Sequence, residues 1–431
     1  MKKFFELDKL QTDIKTEFIA GFSAFITMSY ILVLNPKVLS TAGFDFGATY
    51  TASILMTVFA CLMTAFFVKK PFALAPYIGE NAFIAYTVIA IMGYSWTQAL
   101  GAIFIAGVLL FVLTIFNVRQ KLVEAIPKNL KLAFVVGLGI FLVSIGFKSA
   151  GVIEFLSNGG VAVGNFLAKE TLIALIGLLA MFVLTARKVK AAILFGIITS
   201  FVLGVIFGDI SFPSKIVSAP PSIQPVFLKL DILGVLNLKS FPLLFTLIIL
   251  IFTDTMGTLM GLGARANLLD KNGNLSQIKK PMLVDSISTV FASLLGTTTT
   301  GAYAESVSGI EAGGKSGIVP LVVAVLFFGA LFVSPLVEQI PSYAYAGALI
   351  MVGMLMVTTI KDIDLKKPAD YIPALFAILI SGLAQNIGLG MSLGFFLYPV
   401  CNLFVGEKNK ISPMMWVLSF VSLIFIIVYP Y

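Results

Sequence analysis

Leu74-Ala75-Pro76-Tyr77-Ile78-Gly79-Glu80-Asn81-Ala82-Phe83 and Gly296-Thr297-Thr298-Thr299-Thr300-Gly301-Ala302-Tyr303-Ala304-Glu305-Ser306 are two polar, glycine-bearing stretches set in otherwise apolar sequence. Each carries a carboxylate. A third acid, Asp254, stands inside the apolar run Ile249-Leu250-Ile251-Phe252-Thr253-Asp254-Thr255-Met256-Gly257-Thr258. Charge in hydrocarbon costs at least a few kcal/mol per residue, so such residues usually mark a substrate or ion pathway. Irregular backbone at that depth survives only where protein buries it or where it lines a cavity. Together these features predict an all-α polytopic membrane protein with a midplane site between two broken helices, the arrangement of a secondary transporter.

Composition agrees. Hydrophobic residues make up 59% of the 431 and charged residues 12%, with a mean hydropathy of +1.03; soluble domains are far more polar. The polar N-terminus, Met1 to Thr16, lacks the pattern of a cleavable signal, so the first span is expected to be retained. The net charge of +8 resides in short loops between spans, which reads as topology rather than as a nucleic-acid surface. Cys61 and Cys401 lie apart in apolar segments, and the chain has no histidine. Metal ligation and cofactor chemistry are therefore not expected, and proton handling falls to carboxylates. With no reactive Ser or Cys beside a base, the reading is a transporter and not an enzyme. The lipid bilayer is its first partner.

Spans are expected at about 18–35, 49–68, 73–92, 96–117, 129–147, 170–186, 190–208, 238–263, 281–296, 302–312, 317–338, 343–360, 369–384 and 386–405, about fourteen segments at roughly 20 apolar residues per crossing. Residues 411–429 are apolar enough to form a further element. Alternate loops are basic: Lys69 and Lys70; Arg119, Lys121 and Lys128; Arg187, Lys188 and Lys190; Arg265, Lys271, Lys279 and Lys280; Lys361, Lys366 and Lys367; Lys408 and Lys410. The positive-inside rule then places the N-terminus in the cytoplasm, the chain in the cytoplasmic (inner) cell membrane and Lys315 on the inner side. Each half has its polar break in its third span, and each places an Ile-Pro before its fifth (Ile126-Pro127 and Ile340-Pro341). Seven spans per half would invert the second half relative to the first. Residues 1–208 then form the first repeat, 209–236 an extracytoplasmic linker and 237–431 the second repeat.

Glu305 is expected at the start of a half-helix whose unpaired N–H groups point into the site; the bland alternative is a helix-capping carboxylate. Asp254 lies mid-span, with no Lys or Arg expected at its depth in the neighbouring spans. Desolvation favours the neutral form of any carboxyl group, a property suited to proton coupling. Asn81 offers both a donor and an acceptor to a base edge, and Glu80 faces either a water-filled crevice or the partner half. Phe83, Phe25 and Tyr303 can stack on a flat ligand, although the chain holds 39 Phe and most must pack or face lipid. Asp285 reads as an acid near a helix start, where one is favourable, and Glu311 as part of a loop exit.

Five motifs in order carry a family resemblance: Ala20-Gly21-Phe22 through Tyr30 with Asn35-Pro36, Gly79-Glu80-Asn81-Ala82-Phe83, Asp254-Thr255-Met256-Gly257-Thr258-Leu259, Glu305-Ser306-Val307-Ser308-Gly309 and Gly313-Gly314-Lys315-Ser316-Gly317. As a set they resemble the AzgA-type hypoxanthine/guanine permeases of the second nucleobase–cation symporter family, the xanthine/uracil permease family. The resemblance implies fourteen spans in two inverted seven-span repeats. Broken spans three and ten contribute short strands, and a core domain is closed by a gate domain of spans five to seven and twelve to fourteen. It also implies import of purine bases (hypoxanthine, guanine, adenine) by proton symport with alternating access, and a homodimer. Asp254 and Glu305 become the substrate and proton carboxylates, with Asn81 as the third-span contact and Glu80, Phe83 and Thr258 beside them. Thr258 stands one turn after Asp254, where related uracil and xanthine carriers have histidine, and Lys315 stands where arginine is commoner. A carrier of the same fold for another planar or anionic solute, such as xanthine or uracil, is the alternative.

Overall fold

The computed structural model describes residues 2–156, 160–270, 275 and 277–429; Lys271, one of the basic-loop residues above, lies outside them. Short α1 (Leu7–Leu10) precedes α2 (Ile14–Met28), whose first turn is capped by Asp13 accepting the Thr16 N–H at 2.8 Å. That bond holds the Asp13 carboxyl below the ordinary carboxylate range. After a break at Ser29-Tyr30, α3 (Ile31–Ser40) completes the first crossing. α4 (Phe46–Met63) begins on an Asp45 cap and ends in a π-turn, Thr64–Val68. β1 (Leu74–Pro76) then leads into α5 (Ile78–Ala82), which widens into a second π-segment, Phe83–Ile89. α6 (Trp96–Ile115) opens on a Ser95/Gln98 capping box. α7 (Val118–Ala125) is short, and α8 (Lys128–Ser149) follows Pro127. A hairpin of β2 (Ile153–Phe155) and β3 (Val161–Val163) links to α9 (Lys169–Ala186) and α10 (Ala192–Ile206).

The second half starts with α11 (Phe241–Arg265) and α12 (Lys279–Leu295), the latter stopped by Gly296 at φ +90°. β4 (Thr300–Ala302) and α13 (Ser306–Glu311) replace a continuous tenth span. α14 (Ile318–Ala330), α15 (Ser334–Glu338), α16 (Ser342–Val357), α17 (Pro368–Leu383), α18 (Ile387–Phe404) and α19 (Pro413–Val428) complete the chain. Among the described residues, nine helices are long and apolar enough to cross a membrane and four more apolar helices are shorter: the protein is a multi-pass membrane protein. The apolar segment 411–429 does form a helix. α19 packs along α18, and its last turn reaches the far end of that helix, where Asn386 donates to the Tyr429 hydroxyl at 2.6 Å.

Two bundles result. α8, α9, α10, α16, α17 and α18 pack on one another, whereas α2, α3, α4, α6, α11, α12, α13 and α14 surround the two strands. α8 and α16 cross at Gly139 and Gly353, where a Cβ on either would meet the other's carbonyl oxygen at 2.6 and 2.5 Å. Such close helix contact needs small residues in a membrane, where lipid is as apolar as leucine. The strands β1 and β4 pair antiparallel, Leu74 with Ala302 and Pro76 with Thr300. The pair is extended by Tyr77 N–H to Thr299 O at 3.1 Å and Tyr303 N–H to Ala73 O at 2.9 Å. Backbone that leaves helical geometry at this depth thus finds its partners in the other break, which satisfies the bilayer's demand that no polar backbone group stay open.

Candidate functional site

Three breaks meet within the first bundle: the α2–α3 junction at Tyr30, the β1–α5 turn and the β4–α13 turn. The Tyr30 hydroxyl donates to Glu305 Oε1. This bond ties the middle of the first crossing to the start of the half-helix α13. Glu305 has no side-chain bond to its own helix end, so the helix-capping alternative is not what holds it. Tyr303 stacks on Tyr77 with centroids 6.4 Å apart and 15° between planes, and meets Tyr30 at 6.5 Å. Its hydroxyl donates to Pro76 O at 3.1 Å. Three tyrosines therefore line the seam between the two breaks.

Beside them lies an acidic group. Glu80, in the first turn of α5, is fully buried, and neither of its carboxylate oxygens has a hydrogen-bond partner among the described residues. Asp254, midway along α11, faces it within hydrogen-bonding reach, with Asp285 of α12 behind and the Tyr77 hydroxyl among the three. Tyr303 lies within electrostatic range of Glu305, Glu80 and Asp254. Asp254 is half-buried and opens onto a face of α11 that also carries Gly257, Thr258 and Gly261; a Cβ on either glycine would meet nothing within 4 Å. This face continues to Arg265, which pairs loosely with Glu311 at the end of α13 (3.8 Å, both exposed). The structure thus brings Asp254 and Glu80 together, with Thr258 one turn after Asp254 on the same face of α11 and Glu305 on the other side of Tyr303.

Asn81 has a different environment. It is buried, its amide nitrogen donates to Asn35 Oδ1 and its amide oxygen accepts from Thr298 Oγ1. Asn35 continues to Ser53 and to Thr297 Oγ1, the latter at 3.1 Å. This network stitches the first crossing and α4 to both breaks. Phe83 lies in the apolar core, 1% exposed, at the start of the π-segment.

One expectation is corrected. A base does lie beside the acids: Arg119, read from sequence as a loop residue that reports orientation, is 0% exposed and pairs with Asp285 (1% exposed) at 2.8 Å. It also donates to Ser286 Oγ, and Thr255 Oγ1 donates to the other Asp285 oxygen at 2.9 Å. A carboxylate buried so deeply needs a partner, and α7 folds back to supply it. Nothing in the local sequence distinguishes Arg119 from the exposed basic residues of the other loops.

Two further contacts escaped the sequence reading. Glu17 of α2, fully buried, accepts the Lys315 N–H at 2.9 Å, the Ser316 N–H at 3.2 Å and the Ser316 hydroxyl at 2.8 Å. It therefore shapes the Gly313–Gly317 turn. Lys315 in turn donates to Leu10 O and Gln11 O. Lys190, ahead of α10, reaches from the second bundle to Ser23 Oγ (3.1 Å) and Ser308 O (3.2 Å) of the first. In sequence, Arg119 and Lys190 read only as basic loop residues, Glu17 carries no signal of its own, and Tyr30 enters only as the end of the first motif of the family resemblance.

The sequence matches the Permease family model (Xan_ur_permease) over residues 15–397. The chain belongs to this family. Its relatives include the Escherichia coli adenine permease AdeP, 36% identical across 99% of this chain and 95% of that protein. The Bacillus subtilis guanine/hypoxanthine permease PbuG is 33% identical across 99% of both. Among solved structures, the transmembrane domain of the cyanobacterial bicarbonate transporter BicA superposes with a TM-score of 0.62 at 17% identity, covering 88% of this chain and 97% of that one. That likeness is one of fold. Family membership makes this chain a permease, and the paired breaks are where its solute site is sought.

Proposed function

We propose that this permease imports purine nucleobases by proton symport, with Glu305 and Asp254 as the substrate carboxylates. The observation that carries the reading is the pair of acids at mid-depth: Glu305 fixed by Tyr30 at the start of α13, and Asp254 open to the face of Gly257 and Gly261. Acceptor-only groups suit a neutral, planar ligand rich in N–H donors. The N1–H and exocyclic amine of guanine can pair bidentately with one carboxylate, and the Tyr30, Tyr77 and Tyr303 rings offer flat apolar surface. The names of AdeP and PbuG, which cover adenine and guanine/hypoxanthine, support the same class.

In this reading, the chain forms fourteen spans in two inverted seven-span repeats, with the N-terminus cytoplasmic in the inner membrane and α19 as an appended C-terminal helix. The bundle holding β1 and β4 is the core, and that of α8–α10 and α16–α18 is the gate; the permease works as a homodimer. Each repeat supplying one strand and one half-helix to the same seam supports the inverted arrangement. Movement of the core against the gate exposes the site to each side in turn. Thr258 lies along the exit face, Phe83 packs behind the site and Asn81 acts by holding both breaks in place.

The test is uptake of radiolabelled hypoxanthine and adenine in cells lacking their own purine carriers, with guanine, xanthine and uracil as competitors, with and without a protonophore. Protonophore-sensitive uptake competed by purines is the expected result. Absence of purine uptake by well-expressed protein overturns the assignment.

A further inference from the structure

We propose that Glu80 and Asp254 form one proton-binding site, two facing carboxyl groups that share a single proton, and that Glu80 holds that proton while a substrate occupies Asp254. The inference deepens the proton-symport reading and rests on it for its role in transport, but the proton site itself stands on geometry.

Glu80 is fully buried, and neither oxygen has a hydrogen-bond partner among the described residues. Buried carboxylates are normally bonded. The groups that face it are acids and phenols: Asp254 on α11, Asp285 on α12, and the Tyr77 and Tyr303 hydroxyls. The Tyr303 hydroxyl is spent on Pro76 O. Arg119, on α7, lies behind Asp285 and is committed to it at 2.8 Å, and the Thr255 hydroxyl goes to the same acid. Asp285 is therefore neutralised as a pair, while Glu80 and Asp254 have beside them, among the described residues, the otherwise unbonded Tyr77 hydroxyl, a neutral donor, and are left facing each other without a cation. Two ionised carboxylates do not persist face to face without one; a single proton between them turns the repulsion into a hydrogen bond, and the pair titrates as a unit.

The two members are not equivalent. Asp254 is half-buried and touches the open face of α11, whereas Glu80 is sealed. A proton therefore reaches Glu80 through Asp254. A base that donates an N–H to Asp254 needs that carboxylate ionised, so the shared proton passes wholly to Glu80 Oε as the substrate hydrogen bond forms. One O–H bond breaks on Asp254, one forms on Glu80, and the base itself is unchanged. Substrate and proton then occupy adjacent groups of the same site, which is a stoichiometric coupling device.

The experiment is infrared difference spectroscopy on the purified full-length protein in liposomes, titrated with pH in the absence of substrate, followed by base-induced proton uptake in the same preparation. The wild type is expected to show a protonated-carboxyl carbonyl band at neutral pH. That band should be lost or shifted in both Glu80→Gln and Asp254→Asn and retained in Glu305→Gln. Independent acids would instead each remove only their own band. Because the wild-type spectrum needs no variant, absence of a protonated carboxyl at neutral pH overturns the proposal even if a variant fails to fold. Survival of the band unchanged in both variants also overturns it. In the second arm, adenine or hypoxanthine should drive proton uptake by the wild type and none by Glu80→Gln. Full proton uptake by Glu80→Gln, or uptake driven by sodium with no proton signal, refutes the coupling role. A wild type that carries the shared-proton band yet takes up neither base refutes the purine reading and leaves the proton site standing.

Discussion

Replacing Arg119 by methionine removes the cation that neutralises Asp285 and keeps most of the volume of the side-chain stem. Both groups are essentially inaccessible, at 0% and 1%, so the small values typical of surface pairs do not apply. Breaking a buried pair by deleting one partner costs about 3–5 kcal/mol, because the survivor is left as an uncompensated buried charge. Asp285→Asn inverts the damage, leaving the guanidinium without its counter-charge, and is expected to cost a similar amount. In the double variant Arg119→Met/Asp285→Asn no buried charge remains, and the asparagine oxygen still accepts from Thr255, which now bonds Asp285 at 2.9 Å. Its loss should be about 1 kcal/mol or less, against the roughly 6–10 kcal/mol that additivity of the single losses would give. The assay is the apparent melting temperature of all four proteins by fluorescence-detected size exclusion in one detergent. A strong drop in each single variant with recovery in the double is expected. A single variant as stable as the wild type, or a double variant showing the summed loss, would refute the coupling of the two buried charges.

Four further outcomes follow from the same structure. Tyr30→Phe deletes the hydroxyl that fixes Glu305; a hydrogen bond to a charged group contributes about 1.5–3 kcal/mol, so apparent base affinity should weaken by roughly tenfold to hundredfold, read as the KM of uptake at matched expression. Glu17→Ala leaves the Lys315 and Ser316 N–H groups without their acceptor and is expected to cost about 3 kcal/mol, seen as a lower melting temperature with a shortened yield of monodisperse protein. Gly317→Ala places a methyl 2.2 Å from the Ala65 carbonyl oxygen, a backbone clash that should abolish monodisperse expression. Gly261→Cys, whose side chain meets nothing, should fold in a Cys401→Ser background and react with an impermeant thiol reagent from the side that carries Gln11; no labelling from that side would close the proposed exit face.

Much of the architecture was legible because the bilayer makes its demands locally. A span must be apolar over its own length, so hydropathy locates α4, α8, α11 and α14 without knowledge of their neighbours. A break must advertise itself by glycine and polar side chains, which is why Gly79-Glu80-Asn81 and Thr300-Gly301 could be read as irregular backbone at depth and why β1 and β4 stand where they do. The third acid, Asp254, was equally plain, since a lone carboxylate in an apolar helix has few other uses.

What remained hidden is pairing across long stretches of chain. Tyr30 reaches Glu305 over 275 residues, Glu17 reaches Ser316 over 299 and Arg119 reaches Asp285 over 166. Local composition carries no record of such partners: Arg119 looks like any loop arginine until α7 folds it under α12, and nothing around Asn81 announces the bonds its amide makes to Asn35 and Thr298. Sequence alone determined that this chain crosses the membrane many times and carries acids at two broken helices, because solvation is charged residue by residue. Only the tertiary structure decided which acid is neutralised, which is pinned and which is left facing another without a cation. Electrostatic and hydrogen-bond energies in a low-dielectric interior depend on distances of a few ångströms between groups that the chain itself keeps hundreds of residues apart.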